Sequence, residues 1–168
     1  MSVALTEPVD VRQDAARGRR IDARLSLSQL PRLVELQHDD AAQDAPVAVQ
    51  LTLDLDASER VLLAGRVTAA LTLACERCLG PVEHSLDLAL SLKSGELPEG
   101  DFSADEGPVR LADVIEDELL LALAGGVRHE AEEACAPDAT RYLADEGEAA
   151  PTMRTPFAGL KDLLDKGE

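Results

Sequence analysis

Aromatic side chains are almost missing from this chain: 168 residues contain no Trp, one Tyr and two Phe. The three rings are Phe102, Tyr142 and Phe157. Sheets that read single-stranded RNA stack bases on exposed rings, and none can be spared here for that purpose. The core must therefore be aliphatic. Positive charge is also scarce, with 16 Lys and Arg against 33 Asp and Glu and a formal net charge of −17. A broad phosphate-binding surface draws its affinity from clustered cations, and only Arg17, Arg19 and Arg20 cluster. Long apolar runs are absent too. The longest, Leu119 to Val127, is too short to cross a bilayer. The opening residues lack the basic and apolar regions of a secretory leader. Three cysteines with no leader read as thiols that are reduced or metal-bound, in a cytoplasmic protein.

Catalytic signatures are likewise missing. The chain carries no G-x-x-x-x-G-K-[ST], no G-x-G-x-x-G, no H-E-x-x-H and no G-x-S-x-G. Carboxylates are plentiful but fall in loops and on one polar helix face. A general acid or base needs a sheltered site that shifts its pKa. The chain is read as not an enzyme, and a nuclease using a carboxylate-bound metal is the weakest reading.

What the chain does have is a long period-two pattern. Val47, Val49, Leu51, Leu53 and Leu55 alternate with polar or small residues, as do Val67, Ala69, Leu71, Leu73 and Cys75. After Gly80-Pro81 the alternation resumes through Val82, Leu86, Leu88, Leu90 and Leu92, with His84 on the apolar parity. Gly65 interrupts the second run and marks a candidate bulge. Upstream, Ile21–Leu25 forms a short strand. Ser26 and Gln29 offer a capping box before a short helix, with Pro31 in its first turn. Downstream, Leu111 to Leu123 is the main helix: Leu111, Val114, Ile115, Leu119 and Leu123 share one face, while Asp113, Glu116 and Asp117 face away. The fold class is α+β, an antiparallel β meander, barrel-like closure left open, covered by one main helix. A short N-terminal helix and a short C-terminal helix on an acidic linker complete it. The expected divisions are a flexible arm at 1–18, one domain at 19–128, an acidic linker at 129–154 and a helical docking segment at 155–168. In that last segment Thr155-Pro156 starts a stripe of Phe157, Leu160, Leu163 and Leu164.

Chemistry concentrates at Cys75-Glu76-Arg77-Cys78, a C-x-x-C turn between two strands. A thioredoxin-type pair needs a helix N-terminus to lower its thiol pKa, so redox work is set aside. Structural zinc needs four ligands, and Cys75, Cys78, His129 and Cys135 make a Cys₃His candidate set. The competing reading is two small half-buried thiols at a tight corner, with Arg77 and Glu76 outward. No cofactor is required, and zinc is left open.

Four stretches together resemble the YceD family, named for accumulation of the large-subunit ribosomal RNA. They are Leu73-Ala-Cys75-Glu-Arg77-Cys78-Leu-Gly-Pro81, Val114 to Leu123, His129 with Cys135, and Pro156-Phe157-Ala-Gly-Leu160-Lys161-Asp-Leu163. The resemblance implies a non-catalytic cytosolic factor that supports synthesis, processing or stability of that RNA. Three departures stand out. Many family members carry a second cysteine cluster where this chain keeps only Cys135. Gly125-Gly126 replaces a usual proline, and Arg110 replaces a usual Asp before the helix. Losing that cap is expected to fray the first turn at about 1 kcal/mol.

The acidic charge adds the partner: a basic ribosomal or rRNA-processing protein, steered by opposite charge. The candidate binding residues are Arg77, Asp113, Glu116, Asp117, Phe157, Leu160 and Lys161. The alternative is a direct RNA-binding module with a structural Cys/His zinc site, using Arg17, Arg19, Arg20 and Arg77. No membrane and no small-molecule substrate are expected.

Overall fold

The computed structural model describes residues 5–38, 44–95, 100–104, 107–131 and 135. The expected docking segment, with Phe157, Leu160 and Lys161, lies outside the described residues, as does the acidic linker beyond Cys135. The architecture is α+β with antiparallel sheets.

The main sheet has four strands in the order β2-β3-β4-β5: β2 (Arg20–Ser26), β3 (Pro46–Leu55), β4 (Val61–Ala74) and β5 (Pro81–Lys93). It does not close into a barrel, because β2 and β5 stand at opposite edges. The period-two residues point to one side: Val47, Val49, Leu53, Leu63 and Val67 are buried, while Gln50, Arg66 and Asp87 are exposed. The buried side meets α1 (Val11–Ala16) through Val11 and Ala15, α2 (Pro31–Leu36) through Leu33, and α3 (Leu111–Leu123) through Leu111, Ile115 and Leu119. Gly65 is not a bulge, since the register stays continuous from Leu51↔Gly65 to Gln50↔Arg66. A Cβ at Gly65 would overlap the Gln50 carbonyl oxygen, so the close approach of β3 requires glycine.

Part of the expected arm is structured. Residues 5–18 place Leu5, Val11 and Ala15 in the core. Asp10 caps α1, its carboxylate accepting from the Gln13 N–H at 2.9 Å. A two-stranded sheet pairs β1 (Pro8–Val9) with β6 (Val109–Arg110). This segment also answers the missing cap of α3. Arg110 makes no side-chain cap, but the Ala112 N–H donates to the Leu5 carbonyl at 2.9 Å. The first turn is therefore held from outside the helix rather than frayed.

Glu116 departs from the polar-face pattern. It is 3 % exposed and reaches α2, whose N-cap residue Leu30 has no side chain able to accept. Its Oε1 accepts the N–H groups of Arg32 at 2.7 Å and Leu33 at 3.2 Å, and its Oε2 accepts Arg32 Nε at 2.9 Å. Asp117 accepts Arg32 Nη1 at 2.6 Å. Glu116 is thus an internal helix cap, not an outward binding residue.

Candidate metal centre

The C-x-x-C turn joins β4 to β5. The hairpin closes on itself: the Cys75 N–H donates to the Gly80 carbonyl and the Leu79 N–H to the Cys75 carbonyl, both at 2.8 Å. The Arg77 N–H turns back to the Cys75 sulfur at 3.4 Å. Leu79 takes the left-handed conformation, φ 59°, with its side chain 74 % exposed. Left-handed backbone costs a residue with a Cβ roughly 1–2 kcal/mol, and glycine gives back about 0.5–1 in chain entropy. Leu79→Gly is therefore expected to stabilise the fold by about 0.5–1 kcal/mol. Urea unfolding measures this, and a less stable variant would contradict the strain account.

Residues 126–129 leave α3 and run along this turn. Gly126, at φ 74°, gives passage where a Cβ would strike the Glu76 carboxylate. The Glu76 N–H then donates to the Val127 carbonyl at 3.0 Å, and Arg128 Nη2 pairs with the Glu76 carboxylate at 3.2 Å. His129 arrives over the thiols, and Cys135 returns to them.

The ligand atoms of Cys75, Cys78, His129 and Cys135 all lie within 4.8 Å of one another. His129 Nδ1 is 3.6 Å from the sulfurs of both Cys78 and Cys135. A tetrahedral zinc with ordinary bond lengths separates sulfur and nitrogen ligands by about 3.6 Å and two sulfurs by about 3.8 Å. The other ring nitrogen, Nε2, is 3.2 Å from the Pro81 carbonyl, which fixes the tautomer that leaves Nδ1 free to ligate. No disulfide joins the three cysteines. The donor set thus fits a structural zinc in chemistry and in spacing.

Burial, the largest influence on the Cys75 thiol, raises its pKa. Hydrogen bonds from the backbone of His129, Cys78 and Arg77 outweigh it and bring the thiol to about 6. Cys135 moves the other way, pushed up by burial and by its Cys78 neighbour despite the Arg77 guanidinium 3.8 Å from its sulfur. Three adjacent sulfurs resist joint ionisation without a cation among them, and a bound metal deprotonates its thiol ligands.

The other candidates named from the sequence scatter. Arg77 lies beside this cluster, half-buried. Asp113 and Asp117 are exposed on α3, facing Arg110 and Arg32. A hollow of about 230 Å³ lined by Leu36, Leu73, Glu76, Leu123 and Val127 adjoins the corner. Residue patterns alone miss two features, the hold on the first turn of α3 by Leu5 and the Glu116 clamp.

An open antiparallel sheet whose β4–β5 hairpin ends in a C-x-x-C turn, closed over by a His and a Cys from beyond α3, defines a small α+β domain with a knuckle-type ligand cluster. Residues 63–164, more than half of the chain, match the model of the family described as "Large ribosomal RNA subunit accumulation protein YceD", and the chain belongs to that family. The description names an accumulation factor rather than an enzymatic activity. No curated protein and no solved structure matches the chain. Among the described residues no helix is long and apolar enough to cross a membrane.

Proposed function

We propose that this protein is a non-catalytic factor supporting the synthesis, processing or stability of large-subunit ribosomal RNA in the cytoplasm, and that it acts by binding a basic protein partner. Zinc held by Cys75, Cys78, His129 and Cys135 would be structural. The observation that carries the reading is the ligand set itself. Four protein donors would fill every position of a tetrahedral zinc, whereas catalytic zinc keeps a position open for water or substrate. When bound, the metal would supply one cross-link between the hairpin corner and the chain beyond α3.

The charge supports a basic protein over nucleic acid. Arg19, Arg32, Arg60, Arg66, Arg110 and Arg128 each face a carboxylate of the same chain. These are half of the twelve described Lys and Arg, and their charge is offset within the chain rather than offered to phosphates, while the net charge of −17 attracts basic proteins. Asp113 and Asp117 would steer encounter, with Arg77, Phe157, Leu160 and Lys161 as further contacts.

The test is capture from lysate by the tagged full chain at low and at moderate salt. Basic ribosomal or rRNA-processing proteins are expected at low salt and in reduced amount at moderate salt. Recovery of none in either condition refutes the proposal. A filter-binding titration with ribosomal RNA fragments is expected to give weak, salt-insensitive retention. Tight binding that weakens steeply with salt would favour direct RNA contact instead.

A further inference from the structure

In an antiparallel ladder the N–H and C=O of one residue point to the same side, and successive residues alternate. Along β5 the parity is fixed at both ends. The Ser94 N–H donates to Val61 on the β4 side. The Lys93 N–H and carbonyl instead face outward, bonded to Asp101 at 2.8 Å each. The Pro81 carbonyl also faces outward, toward His129. Glu83, Ser85, Asp87, Ala89 and Ser91 share that parity. Their backbone groups point away from β4, and among the described residues β5 has no strand on that side. Among the described residues the edge is therefore covered at each end and open between, over about 27 Å.

Sheet edges are normally defended by charged side chains, lysine above all, or by proline, a bulge or short length. The stretch from Glu83 to Ser91 is long and regular, with no lysine or proline, and its charges are the acids Glu83 and Asp87, which repel another acidic edge and attract a basic one. Its rim is acidic. Glu83 and Asp87 are exposed on the outer face, with Asp87 paired to Arg66. At the far end Asp101 and Asp117 lie near the half-buried Glu118, which has no hydrogen-bond or ion-pair partner among the described residues. Lys93 is the cation at that end. On the inner side Leu88 and His84 are half-buried, whereas Leu86 and Leu90 are buried. A second copy would bring Glu83 and Asp87 against their own kind, on a chain of net charge −17.

We infer that the open edge of β5 is a docking surface that takes an extended basic segment of a protein partner as a fifth strand. This rests on the basic-partner reading above and names its surface and mode. Main-chain hydrogen bonds would give affinity, and alternate side chains would give specificity. Apolar residues of the segment would fall beside Leu88, and basic residues between them would meet Glu83 and the Asp101–Glu118 end.

The probe is a fluorescent peptide of alternating Lys and Val, about ten residues long to span the edge, titrated into the full chain by anisotropy. Binding is expected, together with slowed amide exchange at Ser85, Asp87 and Ala89. The same peptide N-methylated at alternate positions, and a Glu/Val peptide, are expected to bind at least about tenfold more weakly. Ser85→Pro with Ala89→Pro removes two outward N–H groups and no bond to β4, a change that edge strands tolerate. It is expected to weaken the Lys/Val peptide by about tenfold or more with little change in thermal unfolding. Equal binding of the N-methylated peptide, or unslowed amides, overturns the inference even where the proline variant fails to fold. Unchanged capture of basic proteins by a folded proline variant overturns the docking mode and leaves the partner reading standing.

Discussion

Elemental analysis of the purified chain is expected to return about one zinc per chain, and Cys78→Ser to bring it near zero. The serine keeps the size of the side chain but offers a hydroxyl where the site is spaced for a thiolate, 3.6 Å from His129 Nδ1. In small zinc peptides the metal supplies the folding energy, about 10–16 kcal/mol. Here the core is built without it: Val49, Leu53, Leu63, Ile115 and Leu119 are buried among themselves. The expected effect of Cys78→Ser is therefore a lowered Tm, by on the order of 10 °C, with far-ultraviolet dichroism largely kept. A parent protein free of zinc, or a variant that retains it, would refute the metal assignment.

The pH dependence has a definite sign. The Cys75 thiol sits at about 6 in the folded protein, below its value in the unfolded chain. A depressed pKa contributes stability that is fully present above the unfolded value and lost as pH falls through the folded one. Protons compete with the metal in the same direction. Zinc release to a coloured chelator should thus slow as pH rises toward the unfolded thiol value and quicken as pH falls through about 6. Release that increases toward alkaline pH would contradict this.

The corner is legible in the sequence because its parts obey local rules. Period-two alternation on both sides of Cys75-Glu-Arg-Cys78 requires a hairpin, and a hairpin fixes where two of the thiols lie. His129 and Cys135 can be named as partners by residue type. What brings them there, the Glu76–Val127 hydrogen bond and the glycine at 126, is tertiary and leaves no periodic trace. The N-terminal segment escapes the pattern for a related reason. A six-residue helix buries only two apolar residues, Val11 and Ala15, beside Asp14, too few to register as a stripe. Asp10, three residues before Gln13, is the one local signal of its start. Open edges follow from strand order, which alternation alone does not give, so the exposure of β5 cannot be read from its residues.

Glu116→Ala is expected to cost about 2–4 kcal/mol in urea unfolding, a large loss for a residue that the helical pattern assigns to the outside. α2 has six residues, too few to be stable alone, and its first-turn N–H groups have no acceptor of their own. The substitution strips the Arg32 and Leu33 N–H groups of their partner, with Leu33 fully buried, and leaves the Arg32 guanidinium with Asp117 alone. Glu116→Gln keeps one acceptor oxygen without the charge and is expected to lose less, about 1–2 kcal/mol. Arg32 is 48 % exposed, so Arg32→Ala should cost about 1 kcal/mol or less. That ordering separates the capping role from the ion pair. If removing Arg32 were as damaging as removing Glu116, the ion pair would dominate. The consequence also travels to the metal corner. The end of α2 continues the ladder past β3: Gln37 bridges Leu73, its side chain accepts the Thr72 N–H at 3.1 Å, and the His38 N–H donates to Thr72 at 2.8 Å. Thr72 and Leu73 lead directly into Cys75. Glu116→Ala should therefore also speed zinc loss to a chelator at neutral pH, which Arg32→Ala should leave nearly unchanged. Equal release rates for the two variants would place the clamp and the corner in separate cooperative units.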